Sequence, residues 1–202
     1  MSEVNIQLFR AINDLGKVYP QYNPAMFFIA EYLVLLLALA TIGYWCTRKQ
    51  SNRMMVLCGG LSFVVAEIIA KIAGMIHFNQ QPFAELSNVN QLVFKPIDNS
   101  FPSDHTIIFF SFCITFWLFK RGWGVLWVLL ASIVGISRIW VGVHYPADVF
   151  AGMIISLFSA VLVYYFFPRL KMAQKILTIY EKGEQAALTP FIKGKKSKSK
   201  DM

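Results

Sequence analysis

Two short runs carry side chains that a membrane makes costly and that chemistry makes useful. The first is Ser137-Arg138-Ile139-Trp140-Val141-Gly142-Val143-His144-Tyr145-Pro146-Ala147-Asp148. A charged side chain at bilayer depth costs at least about 2.5–3.5 kcal/mol on insertion scales, so such groups face a partner or a water-filled cavity. Arg138 offers a planar fork of donors suited to an anion. His144 can attack phosphorus when one ring nitrogen keeps its lone pair. Asp148, four residues on, stands where it can hold the other nitrogen. The run reads as half of a phosphate-handling site.

The second run, Pro102-Ser103-Asp104-His105-Thr106, opens an apolar segment. Ser103 is placed to cap a helix. A helix N-terminus presents free backbone N–H groups and a positive dipole end, which suit an anion. His105, in the first turn, can protonate a leaving oxygen. Alone, a histidine at a helix end is more often a local hydrogen-bonder, and a Ser-Arg pair says nothing. Converging at one face of a membrane bundle, His105, Arg138, His144 and Asp148 say more. Two histidines also raise zinc, but no third ligand of good type lies at a suitable spacing. No metal and no cofactor are expected.

The elements that must position these residues follow from composition and hydropathy. The chain has 202 residues, is 56% hydrophobic and 15% charged, and has a mean hydropathy of +0.53. That is too apolar for an ordinary soluble domain. The net charge of +8 gathers largely in one loop and the C-terminal tail. This points to anionic lipid headgroups and away from nucleic acid, because the tail lacks interleaved aromatics. Cys46, Cys58 and Cys113 lie in or beside apolar segments without metal spacing, so all are expected to be buried thiols. No cleavable signal peptide is expected, since the first apolar run starts near residue 25 and is too long.

Residues 3–16 set Ile6, Phe9, Ile12 and Leu15 at near-helical spacing, which predicts an interfacial helix. Apolar spans follow over about 25–46, 54–77, 103–119, 123–140 and 146–167. Most approach the roughly 20 residues that cross a bilayer. Glu31 reads as an interface carboxylate, with a part in the site only if its end of the helix faces it. Glu67 and Lys71, four apart, can pair on one face; alternatively one of them reaches the site. Residues 78–102 form a polar connection of a length that is often functional. Residues 169–182 look amphipathic, and 193–200 form a basic, low-complexity tail expected to be unstructured.

The expected fold is therefore all-α: a polytopic membrane helix bundle of five, or six, transmembrane helices with N- and C-terminal interfacial helices. Residues 1–24, 25–167 and 168–202 are its three parts. Lys and Arg crowd loops 47–53 and 120–121 and the tail, which places these in the cytoplasm. With five spans the N-terminus lies outside. The end of span two, both ends of the 103–140 hairpin and the start of span five then share the outer face.

The motifs resemble those of the type 2 phosphatidic acid phosphatase superfamily. Pro102-Ser103-Asp104-His105 looks like its second motif, and Ser137-Arg138, five residues, His144, three residues, Asp148 looks like its third. Asp104 in place of glycine, and the Ser-Phe-Pro-Ser-Asp-His run, resemble the bacitracin-resistance undecaprenyl-diphosphatase branch. The first motif departs: where a lysine, six residues and Arg-Pro are expected, this chain has Gly74, Gln81 and Pro82. Lys71 sits one turn earlier, and Asn79, Gln80 and Gln81 supply uncharged donors. The departure fits weaker catalysis, another substrate preference, or a compensating cation elsewhere.

The resemblance implies a phosphohistidine route. His144 attacks the terminal phosphorus of an isoprenoid lipid diphosphate, Asp148 supports it, and His105 protonates the leaving lipid monophosphate. Arg138, Ser103 and the N–H groups of Asp104 and His105 hold phosphoryl oxygens, with Gln81 and Lys71 as further candidates. It also implies a multi-pass protein of the bacterial inner membrane, an extracytoplasmic site, recycling of the undecaprenyl carrier, and bacitracin resistance. Three alternatives stay open: a phosphatase of phosphatidylglycerophosphate or phosphatidate, a non-catalytic lipid carrier, and a vanadate-dependent haloperoxidase.

Overall fold

The computed structural model describes residues 2–198, with side chains described as far as Ala186. The chain begins with α1 (Glu3–Asn13) and the short α2 (Leu15–Val18). Then come α3 (Asn23–Cys46), α4 (Gln50–Ile76), the one-turn α5 (Pro82–Glu85), α6 (Asp104–Lys120), α7 (Val125–Trp140), α8 (Pro146–Phe166) and α9 (Lys171–Lys198). No strand forms among the described residues beyond an isolated bridge between Gln80 and Asn99. The all-α architecture matches the sequence expectation.

Helix α6 is the axis of the bundle, enclosed by α4, α7 and α8. It buries residues right round its circumference, from Ile107 and Phe109 to Ser111 and Thr115. Such a helix is apolar on all sides because none of its faces meets water. Four helical stretches, Pro20–Cys46, Gln50–Ile76, Gly122–Trp140 and Pro146–Arg169, are each long and apolar enough to cross a membrane. Helix α6, with 17 residues, is about 25 Å long at roughly 1.5 Å per residue. The chain is a multi-pass membrane protein.

Helix α3 is peripheral, burying only Ala30 and Leu37. Leu35, Leu39 and Ile42 point outward. Cys46 lies on this outer helix and is exposed, which corrects the expectation of three buried thiols; Cys58 and Cys113 are buried. Arg53 also differs from expectation. It belongs to the first turns of α4, not to a loop, and is buried between Glu181 and Glu184 of α9. Trp45 and Tyr180 cover its guanidinium at 5.6 and 5.2 Å. No ion pair joins Glu67 to Lys71. Both line an open cleft, where water competes for two flexible side chains. Helix α9 continues to Lys198, past the start of the tail expected to be unstructured. A helix once begun gains a backbone bond with each residue added. Residues 199–202 lie outside the described residues.

At the opposite end of the bundle, α1 packs onto protein. Phe9 meets the Tyr145 ring at 5.4 Å, with Ile6 and Ile12 beside it; Leu15 is exposed. Asn13 is fully buried and donates to Trp140 O at 2.8 Å and Asn90 O at 3.0 Å, while its oxygen accepts from Asn90 N at 2.9 Å. Arg10 donates to Ser87 O and Asn88 O, and Lys17 also donates to Asn88 O. Gly142, at φ +85°, lets the turn pass close beneath: a Cβ there would lie 2.9 Å from Asn90 O. The 77–103 connection is thereby strapped over the ends of α6, α7 and α8.

Candidate active site

His144 lies in the turn between α7 and α8, between the buried residues Val143 and Tyr145. Its Nδ1 is 2.9 Å from Ser100 O. A carbonyl only accepts, so this contact assigns the proton to Nδ1 and leaves the lone pair on Nε2. Asp148 stands 3.7 Å from Nδ1, too far for a direct hydrogen bond. Its carboxylate instead accepts from Ser100 Oγ at 2.9 Å, Tyr145 N at 2.8 Å and Asn79 Nδ2 at 3.5 Å. Asp148 therefore holds Ser100, and the Ser100 carbonyl holds the ring. Burial pushes the His144 imidazole below its ordinary range. Asp148 opposes that shift, and Arg138 and Lys95 add to it.

Arg138, in the last turn of α7, is completely buried. Nη1 donates to Ala30 O at 2.9 Å and to Glu31 Oε1 at 2.6 Å. Among the described residues Nε and Nη2 have no acceptor, and the buried hydroxyls of Ser103, Thr106 and Ser111 have no partner. Buried polar atoms are nearly always hydrogen-bonded, so unpaired donors at the end of the bundle that carries His144 are suited to an anion. Ser103 occupies the N-cap position of α6 but makes no capping bond. Its hydroxyl bonds none of the helix amides, a correction to the expected cap. The N–H groups of Asp104, His105 and Thr106 consequently keep their donors free.

His105 is half-buried and within electrostatic reach of His144, Arg138 and Lys95. His144 opens into a cleft of about 320 Å³ whose lining includes Gln81, Lys95, Asn99 and Asp104. Gln81 is in this cleft, with its amide bonded to the connection. Asp104 is exposed on the rim. Lys71 lies elsewhere, in an adjoining cleft of about 390 Å³ with Glu67 and Gly74. Asn99, Pro102 and Asp104 wall both clefts. Among the described residues no group of three His, Cys, Asp or Glu side chains is arranged to hold a metal ion.

Sequence reasoning missed two participants, Lys95 and Ser100, and left a third, Glu31, conditional. Lys95 lies in the polar 78–102 connection, and nothing local marks it. Ser100 stands in the Ser-Phe-Pro-Ser-Asp-His run, but its double contact depends on the fold of the connection. Glu31 was legible as a costly carboxylate, yet its partner lies 107 residues away.

The sequence matches the PAP2 superfamily over residues 32–172. This chain belongs to the PAP2 superfamily. Curated relatives agree. A Bacillus licheniformis protein named bacitracin transport permease protein BcrC is 53% identical over 91% of each chain. The undecaprenyl-diphosphatase BcrC of Bacillus subtilis is 30% identical over 88% of this chain and 92% of its own. A putative undecaprenyl-diphosphatase of Escherichia coli, YbjG, is 29% identical over 76% and 78%. Among solved structures, Aquifex aeolicus LpxE superposes with a TM-score of 0.62 at 24% identity, covering 82% of this chain and 97% of its own. A Bacillus subtilis PAP2-type phosphatidylglycerolphosphate phosphatase gives 0.57 at 20%, covering 84% and 89%. At these identities the two structures bear on the fold alone.

Proposed function

We propose that this PAP2 protein is an undecaprenyl-diphosphate phosphatase that works through a phosphohistidine. One observation carries the reading. A histidine with a free Nε2 opens into a cleft at the bundle end where buried Arg138 donors and first-turn amides of α6 lack acceptors. The names of the relatives supply the substrate class. The 53% relative is named for transport, but a carrier has no need of a tautomer-fixed imidazole beside unpaired anion donors, so hydrolysis is favoured.

His144 Nε2 attacks the terminal phosphorus, and the bond to the bridging oxygen breaks. The electron pair goes to that oxygen, which takes a proton from His105 and leaves as the lipid monophosphate. His105, now a base, deprotonates a water that attacks the phosphohistidine. The N–P bond breaks, its pair returns to Nε2, and inorganic phosphate departs. Arg138, the Ser103 hydroxyl and the N–H groups of Asp104 and His105 hold the phosphoryl oxygens as charge redistributes. Gln81 and Lys71 are the outlying candidates of the same binding set.

Charge distribution supports an extracytoplasmic site in a bacterial inner membrane. Arg48, Lys49, Lys120 and Arg121 cluster at the bundle end opposite His144. An outward site suits recycling of the cell-wall lipid carrier, and removal of the terminal phosphate would protect against a drug that binds the diphosphate. The test is phosphate release from undecaprenyl diphosphate, beside phosphatidylglycerophosphate and phosphatidate, with and without chelator. His144→Ala is expected to lower the rate by about 10⁴-fold or more, the usual scale for a lost nucleophile. Normal turnover by that variant overturns the mechanism. Lipid binding without turnover by the native protein points to the carrier.

A further inference from the structure

The departures at the first motif have a structural counterpart. Gly74 cannot host a cation without rearrangement: a Cβ there would lie 3.0 Å from Phe101 O and 3.1 Å from Asn99 Nδ2. Asn99 Nδ2 also donates to Gly74 O at 3.0 Å, so the 99–101 backbone rests on bare helix. Gln81 is buried and its amide is engaged. Oε1 accepts from Asp98 N at 3.0 Å, and Nε2 donates to Pro96 O at 3.4 Å. Both bonds fasten the segment immediately after Lys95.

Lys95 lies in the same cleft as His144 and Gln81. It is half-buried and, among the described residues, takes part in no hydrogen bond or ion pair. Its surroundings disfavour its charge: burial and Arg138 lower its pKa, with Glu31 and Asp104 only partly compensating from a distance. A partly desolvated ammonium that feels the charge of a buried guanidinium is an expensive arrangement that a bound anion would relieve. Its charge also acts on both His105 and His144, in keeping with the cleft that it shares with His144.

We propose that Lys95 is a substrate-binding residue, its ammonium pairing with the terminal phosphate and standing in for the cation absent at positions 74 and 81. The inference rests on the diphosphatase reading for its substrate and on the cleft for its geometry. The cation comes from the connection, not from α4, so the strap over the bundle end delivers a phosphate ligand.

The test uses the full-length protein in detergent, with Lys95→Gln, Lys95→Arg and the double variant Lys95→Gln/Gln81→Arg. Lys95→Gln is expected to lower kcat/KM by about 10- to 100-fold, the scale of one charge-assisted hydrogen bond. It also weakens competitive inhibition by inorganic phosphate by a comparable factor. Lys95→Arg retains most of both, and Gln81→Arg recovers part of the loss from the same cleft. Native values for both quantities in Lys95→Gln overturn the proposal. So does a folded Lys95→Arg as impaired as Lys95→Gln, because the charge would then be irrelevant. Failure of the native protein to hydrolyse undecaprenyl diphosphate defeats the parent reading alone. Inorganic phosphate binding, measured directly, then still separates native protein from Lys95→Gln.

Discussion

At the residue scale, the site turns on how one imidazole is held. The Ser100 carbonyl takes the Nδ1 hydrogen, and Asp148 acts through Ser100 and through its charge. Burial and two cations lower the His144 pKa from an ordinary value of about 6.5. A lowered pKa keeps the lone pair available at lower pH. The acid limb of kcat/KM is therefore expected below pH about 6.5, and Lys95→Gln is expected to move it upward by removing one of those cations. A pH–rate profile of both proteins checks this. The same shift has a stability consequence. The folded state binds fewer protons at His144 than the unfolded chain, so its contribution declines as pH falls from about 6.5. His105, Arg138, His144 and Asp148 were legible because ionisable groups are rare and costly in so apolar a chain. Lys95 was not, since a lysine in a polar loop is unremarkable until the loop folds inward.

At the element scale, the spans were legible to within a few residues because apolar runs in this chain end at charges, glycines or prolines. The predicted span over 103–119 corresponds to α6 (Asp104–Lys120), and that over 146–167 to α8 (Pro146–Phe166). Periodicity also found α1 but mistook its partner. Asn5, Phe9 and Asn13 face protein, and no amphipathic pattern distinguishes a lipid surface from a folded connection. Asn13 binds the connection and α7 at once. Asn13→Ala strands buried groups on both, and each such orphan costs about 1–3 kcal/mol. A lowered thermal midpoint, with faster amide exchange over residues 86–93, is the expected result. Unchanged exchange there would show that the strap is held by other contacts.

At the scale of the whole molecule, the two ends of the bundle differ in kind. One carries the clefts and the connection; the other carries basic loops and the Arg53–Glu184 latch of α9. Orientation is open to direct measurement. Phe94 in the connection is 90% exposed and Trp123 at the other end 85%. In a Cys46→Ser background, Phe94→Cys is expected to react with an impermeant maleimide in intact cells. Trp123→Cys is expected to react only after permeabilisation. The reverse pattern would place the site in the cytoplasm.

Helix α3 buries only Ala30 and Leu37 fully, so a mismatch between its length and the surrounding hydrocarbon can change its tilt. Yet both acceptors that anchor the Arg138 guanidinium, Ala30 O and Glu31 Oε1, belong to that helix. Membrane thickness thus has a mechanical route to the anion-binding fork. Turnover in vesicles of stepped acyl-chain length is expected to peak at one thickness, and Glu31→Gln, with its mooring loosened, to flatten that dependence.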